Sequence, residues 1–260
     1  LWARLIAVAF ALPFVFFVIK GFFRRAMILP MVVLFLLGGL QGALGWIMVK
    51  SGLNEEALFV SHYRLAIHFM AALVLLCYTL WFALKLIVPE KQLAVVTGRQ
   101  KQLVVTVISL LSVQLLFGAF MAGLKAAAAA PTWPDLNGSW WPQWPRDRPF
   151  NDPLLIQFIH RSLAYLVAVL TFYWWWQARK INPTRWFRVL HPLPLLLTLL
   201  QVMLGIGTVL FSADRYALIG LGAAHQFTAI LLLLAWVMTF YAVHRSSRAE
   251  DAGFQQISSK

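Results

Sequence analysis

A chain of 260 residues that is 61% hydrophobic and only 12% charged is excluded from the ordinary soluble globular class. The net charge of +13 would suit a nucleic-acid partner, but the basic residues sit in short segments between apolar runs, so the charge reports membrane topology and no nucleic-acid partner is expected. Cys77 is the single cysteine, which excludes an intrachain disulfide and a thiolate metal cluster and leaves it as a small apolar filler.

Apolar runs long enough to cross about 30 Å of hydrocarbon as helices fall near 2–19, 27–48, 64–88, 103–124, 155–177, 189–211 and 217–243. They are too long for membrane strands, so every span is helical. Lys20, Arg24 and Arg25 follow the first run, Lys91, Arg99 and Lys101 the third, Arg179, Lys180, Arg185 and Arg188 the fifth, and Arg245 and Arg248 the seventh. These four segments share one side, which the positive-inside rule makes cytoplasmic, C-terminus included. The other connections carry Lys50, Lys125, Arg146, Arg148 and Arg215 diluted by Glu55, Glu56, Asp135, Asp147, Asp152 and Asp214.

The second run contains Gly38, Gly39, Gly42 and Gly45, which permit close helix approach. It also opens an internal repeat. LQGALGWIMV at 40–49 resembles LQVMLGIGTV at 200–209, and Ala3-Arg4-Leu5-Ile6-Ala7-Val8 matches Ala164-Tyr165-Leu166-Val167-Ala168-Val169 as A-x-L-x-A-V. Spans one, two and three thus correspond to five, six and seven; the fourth has no visible partner, and a helix upstream of Leu1 is its natural counterpart. Matching spans lie an even number of crossings apart, so the copies run parallel. The expected fold is an all-α polytopic membrane protein, a tandem four-helix-bundle repeat with seven of eight helices present. Residues 1–90 form the N-terminal bundle, 91–102 a cytoplasmic linker, 103–245 the C-terminal bundle and 246–260 a cytoplasmic tail.

Three histidines lie inside spans. By helical rise His68 sits about 6 Å from the outer face, His160 roughly 7 to 8 Å and His225 roughly 12 Å. A lone intramembrane histidine reads as a hydrogen-bonded packing residue; repeat-related histidines at similar depth on two helices of one bundle point to a cofactor. His160 and His225 approach from opposite sides of a flat group, and haem iron takes two axial imidazoles, whereas zinc wants further protein ligands that these spans do not supply. In the first copy His68 corresponds to His225. Arg161, next to His160, either pairs with a haem propionate or is a plain interfacial arginine, and Arg64 stands in the same relation to His68. Gln157, one turn before His160, is a candidate to orient its ring. His62, in an outer loop, is weighed as a residue at the mouth of the first site; His191 and His244 read as interfacial. The outer segment 131–153, rich in Pro and Trp, suits the membrane interface and a capping position.

The strings VSHYRLAIHF, GAFMAGLKAAAAAPTWPDLNGSWWP, QFIHRSLAY and AAHQ, in this order, resemble the haem A synthase family over nearly the whole chain. The lack of paired cysteines in the outer loops is similar to its cysteine-free branch. The resemblance implies a C-terminal bundle holding haem b through His160 and His225, and an N-terminal bundle where haem O, with His68 among its ligands, has its C8 methyl oxidised to a formyl group by successive hydroxylations. A glutamate and a histidine of an E-x-x-H-R motif would complete that site. The motif would end just before Leu1, so the chain is expected to be N-terminally truncated, able to hold haem b but without the catalytic glutamate; Glu55 and Glu56 are loop residues and poor substitutes. The implied setting is the bacterial inner membrane, in cytochrome oxidase assembly, with haem O, the haem O synthase, membrane lipid and a second copy of the chain as partners and the electron donor unassigned. The rival is a di-haem cytochrome b-type electron carrier, disfavoured because all candidate ligands lie in the outer half.

Overall fold

The structure is a computed structural model that describes the backbone of residues 2–50, 59–143 and 149–258 and the side chains of 5–50, 59–143 and 149–243. Glu55, Glu56, Arg146, Asp147 and Arg148 lie outside the described residues, as do the side chains of His244, Arg245 and Arg248. Eight α-helices run in chain order: α1 Trp2–Ile19, α2 Arg25–Lys50, α3 His62–Ile87, α4 Gly98–Gly123, α5 Pro153–Ala178, α6 Arg185–Leu190, α7 Leu193–Leu210 and α8 Arg215–Ser258. Among the described residues there is no β-strand, only one isolated bridge between Leu136 and Ser139. Among the described residues six helical stretches are long and apolar enough to cross a membrane, and Leu5–Ile19 is a shorter apolar helix. The protein is an all-α, multi-pass membrane protein.

The chain separates into two compact units, Leu1–Ala83 and Leu84–Lys260. In the first, α1 packs on α2 through Phe10 stacked on Phe35 with ring centroids 6.0 Å apart. Between them the chain reverses at Gly21, whose φ of +71° suits a residue without Cβ. The Phe22 N–H then bonds back to the Phe17 carbonyl at 3.0 Å and so satisfies an orphan carbonyl at the end of α1. The Tyr78 hydroxyl of α3 donates to the Pro30 carbonyl of α2 at 3.1 Å. No side chain of α2 is buried; its apolar surface is that of a helix facing lipid.

In the second unit α4, α5, α7 and α8 close a ring, with α4 against α5 and α8 and α7 against the same two neighbours. This is an up-down four-helix bundle. Each start is marked in the sequence. Thr97 and Gln100 form a capping box on α4, Asp152 caps α5 ahead of Pro153, and Thr184 caps α6, so N–H groups left open by the helix geometry find acceptors. The sixth predicted span, 189–211, is broken in the structure: α6 stops at Leu190 and α7 resumes at Leu193, because Pro192 and Pro194 bring no N–H for the ladder.

One end of this bundle is filled solid. Trp174, Phe187, Trp236, Tyr241, Val104 and Val107 are almost wholly buried, with the two indoles 6.1 Å apart. Three of the basic segments converge at this end: the Thr184 hydroxyl donates to the Gln92 carbonyl at 2.8 Å, and the Ala94 N–H to the Ala242 carbonyl at 3.3 Å. Toward the other end buried positions thin out, with none between Gln157 and Val167 on α5 or between Thr198 and Val209 on α7. Over that end lie residues 126–143, which follow α4. Truncating Trp174 to Ala should cost about 3–5 kcal/mol in thermal unfolding, whereas Trp176→Ala, at a half-exposed position on the same helix, should leave the midpoint nearly unchanged.

Candidate functional site

His160 on α5 and His225 on α8 face each other inside the less filled end of the bundle, ring centroids 6.3 Å apart and planes inclined at 68°. Each ring is held by the helix that precedes its own. The Gln201 amide of α7 donates to His225 Nε2 at 3.1 Å, and His225 Nδ1–H donates to the Gln201 backbone carbonyl at 3.0 Å. This pairing fixes the tautomer, leaving the lone pair on Nε2. The Gln114 amide of α4 reaches His160 Nε2 at 3.3 Å; the His160 Nδ1 is buried and has no hydrogen-bond partner among the described residues.

Two glycines lie against the rings. A Cβ on Gly205 would lie 3.0 Å from His225 Cε1, and one on Gly118 would lie 3.4 Å from His160 Cε1. Gln201 and Gly205, like Gln114 and Gly118, are four residues apart and so share one helix face.

His68, in the other unit, has the same surroundings. Gln41 Nε2 lies 3.4 Å from His68 Nε2, and a Cβ on Gly45 would come within 2.8 Å of His68 Cε1. Arg64 is half-buried one turn earlier on α3, and His62 packs against Tyr63 with centroids 4.0 Å apart.

Gln157 and Arg161 both bond to the outer segment. Gln157 does not orient His160: its amide donates to the Ala130 carbonyl at 3.0 Å in the outer segment. The orienting residue is Gln114, on a different helix. Arg161 donates to the carbonyls of Asp135 at 2.8 Å and Ala130 at 2.9 Å. Gln157 and Arg161, one turn apart, therefore strap the outer segment onto the mouth of the bundle, and Trp141 adds an edge contact to Phe158 at 5.0 Å. The three glutamines were missed as site residues although two of them, Gln41 and Gln201, stand in the repeated Leu-Gln that marked the duplication.

No group of three or more His, Cys, Asp or Glu able to hold a metal ion occurs among the described residues. Two opposed imidazoles suit a metal that brings its own equatorial ligands. At about 2 Å from metal to each ring nitrogen, centroids fall roughly 6 Å apart, the separation observed. The two facing rings, each with a buried nitrogen not bonded to lipid or to a carboxylate, fit such a group.

A family model described as Cytochrome oxidase assembly protein (COX15-CtaA) matches residues 1–237. The chain belongs to this family. Among relatives of the cytochrome oxidase assembly family it is 38% identical to Heme A synthase of Rhodospirillum centenum, covering 92% of this chain and 64% of that protein. It is 36% identical to Heme A synthase of Parvibaculum lavamentivorans, covering 94% and 69%. To Heme A synthase COX15 of Arabidopsis thaliana it is 34% identical, covering 95% of this chain and 57% of the plant protein. The chain thus spans a little under two thirds of the length of the first of these relatives.

For this family member, Arg161→Ala should remove two charge-assisted hydrogen bonds and release the outer segment at a cost of about 1–3 kcal/mol. Limited proteolysis within 131–143 should then run faster than in the parent protein. Arg161→Lys, with a compact ammonium in place of the planar fork, should fall between.

Proposed function

We propose that the protein is a membrane oxidoreductase of the haem A synthase type, converting haem O to haem A by oxidising the C8 methyl to a formyl group for terminal oxidase assembly. The opposed His160 and His225 rings carry the reading. A pair of imidazoles on facing helices with ring centroids 6.3 Å apart supports both as residues that would hold one haem b. His68, with its matching glutamine and glycine, supports a second haem site, where haem O would be bound as substrate. Arg161 and Arg64 follow or precede these histidines as candidate partners for propionates; the loop carbonyls that Arg161 holds leave that role to be tested with haem bound.

The chain's own residues do three things in this reading. His160 and His225 present neutral imidazole nitrogens from facing helices. Gly205 lets the His225 ring sit close to the backbone of α7, and Gln157 and Arg161 hold the outer segment at Ala130 and Asp135. When bound, haem b supplies one-electron redox chemistry tuned by its two axial ligands. His68 would fix the substrate iron and with it the position of the methyl group to be oxidised.

The basic segments gathered at the Trp-filled end support that end as the cytoplasmic one and the histidines as near the outer face of a bacterial inner membrane. The haem O synthase, the electron donor and a second copy of the chain are the partners this function calls for.

Two measurements on the purified full-length protein test the reading. His160→Ala and His225→Ala should each abolish the haem b spectrum, while His68→Ala should keep that spectrum and lose conversion of haem O, followed by pigment extraction, by at least a hundredfold. Haem b retained in both of the first variants would refute the ligand assignment. Haem b present with no conversion in the parent protein would favour the electron carrier.

A further inference from the structure

The glutamine that meets each imidazole occupies the nitrogen that iron would need. We propose, resting on the haem reading above, that Gln201, Gln114 and Gln41 are exchange residues: each amide N–H competes with haem iron for the Nε2 lone pair of its histidine, so that haem enters and leaves by swapping places with a hydrogen bond.

The arrangement recurs three times. Gln41 with Gly45 on α2 faces His68 on α3, Gln114 with Gly118 on α4 faces His160 on α5, and Gln201 with Gly205 on α7 faces His225 on α8. The pairs are 27, 46 and 24 residues apart in sequence, so loops of very different length bring the same two side chains together. The repeating element is therefore a helical hairpin, Q-x-x-x-G on the first helix and histidine on the second. On this view the fourth span, which shares only Gln and Gly with the others, has counterparts after all.

A packing role does not account for the glutamines. In all three the amide oxygen Oε1 is buried with no hydrogen-bond partner among the described residues, a costly state for a residue whose only task is to fill space. The amide nitrogen lies 3.1–3.4 Å from Nε2 in all three pairs; at His225 the Nδ1 bond to the Gln201 carbonyl fixes the amide as donor, and at His68 and His160 the direction follows the tautomer. A nitrogen lone pair serves one partner at a time. Iron must displace the amide on arrival, and the amide is at hand to take the nitrogen when iron departs. For a substrate haem that must come and go, Gln41 would ease release; for haem b, Gln114 and Gln201 would keep the haem-free rings satisfied and pointed inward.

His225 gives the cleanest test, because its ring is also held through Nδ1 by the Gln201 backbone carbonyl, a bond that a side-chain substitution leaves in place. Gln201→Leu keeps a similar volume, removes the competing donor and brings no atom that can ligate iron. In the full-length holoprotein, transfer of ferric haem b to excess apomyoglobin, read at the Soret band, should slow about fivefold, the equivalent of one neutral hydrogen bond, and Gln114→Leu should act in the same direction. Transfer that is unchanged or faster in both variants overturns the proposal, since it would make the glutamines fillers or supports of ligation. If Gln201→Leu fails to fold, Gln114→Leu decides alone. His225→Ala run in parallel separates the two levels: a His225→Ala protein that retains haem b with parental spectrum and transfer rate defeats the haem assignment itself, whereas loss of haem there with no slowing in the glutamine variants defeats only the exchange role.

Discussion

An imidazole placed in hydrocarbon has two nitrogens that lipid cannot satisfy. In His68, His160 and His225 one of the two, Nε2, is met in the same way, by a glutamine on the preceding helix; only His225 also places Nδ1, on the Gln201 carbonyl, while Nδ1 of His68 and of His160 has no partner among the described residues. That solution demands close approach between the two helices, and close approach demands a residue without Cβ at the crossing. Gly45 and Gly205 supply it, while at Gly118 a Cβ would meet the His160 ring at 3.4 Å, an ordinary contact. Gly45, read in the sequence as a general packing residue, thus has a narrower job, which is to hold a ring edge.

The C-terminal bundle divides its labour along its length. Its far end is a packed core of Trp174, Trp236, Tyr241 and Phe187 that fixes the spacing of the four helices. The near end spends less on packing and holds the histidines. Fixing the ring separation at 6.3 Å is work done by the whole bundle, since His160 and His225 sit on helices that each touch both α4 and α7. The outer segment, tied down by Gln157 and Arg161, closes the open end. Gln157, expected to orient the His160 ring, instead holds the outer segment through Ala130.

Much of the fold was legible because a membrane leaves few choices. Runs of about twenty apolar residues must be helices, and the boundaries followed. The break at His191-Pro192 was written in the two prolines but hidden by the apolar run around them. The histidines were visible as polar residues out of place. Their partners were not, since Gln114 shares only two positions, Gln and Gly, with its counterparts, too little to stand out in Leu-rich sequence. Gln157 sat at the helical spacing expected of a ring-orienting residue, and only tertiary contacts reveal that its amide turns away to Ala130. Spacing along one helix says which residues share a face; it does not say what the neighbouring helix offers.

Membership in the cytochrome oxidase assembly protein family and the opposed imidazoles both support the haem reading proposed above, and that reading turns on whether His160 and His225 would hold one iron together. Electron paramagnetic resonance of the oxidised full-length holoprotein measures it directly. Two histidines on one iron predict a low-spin ferric signal of bis-imidazole type from haem b. A high-spin ferric signal for that haem, or a low-spin signal of histidine–methionine type, would contradict the pairing of His160 with His225.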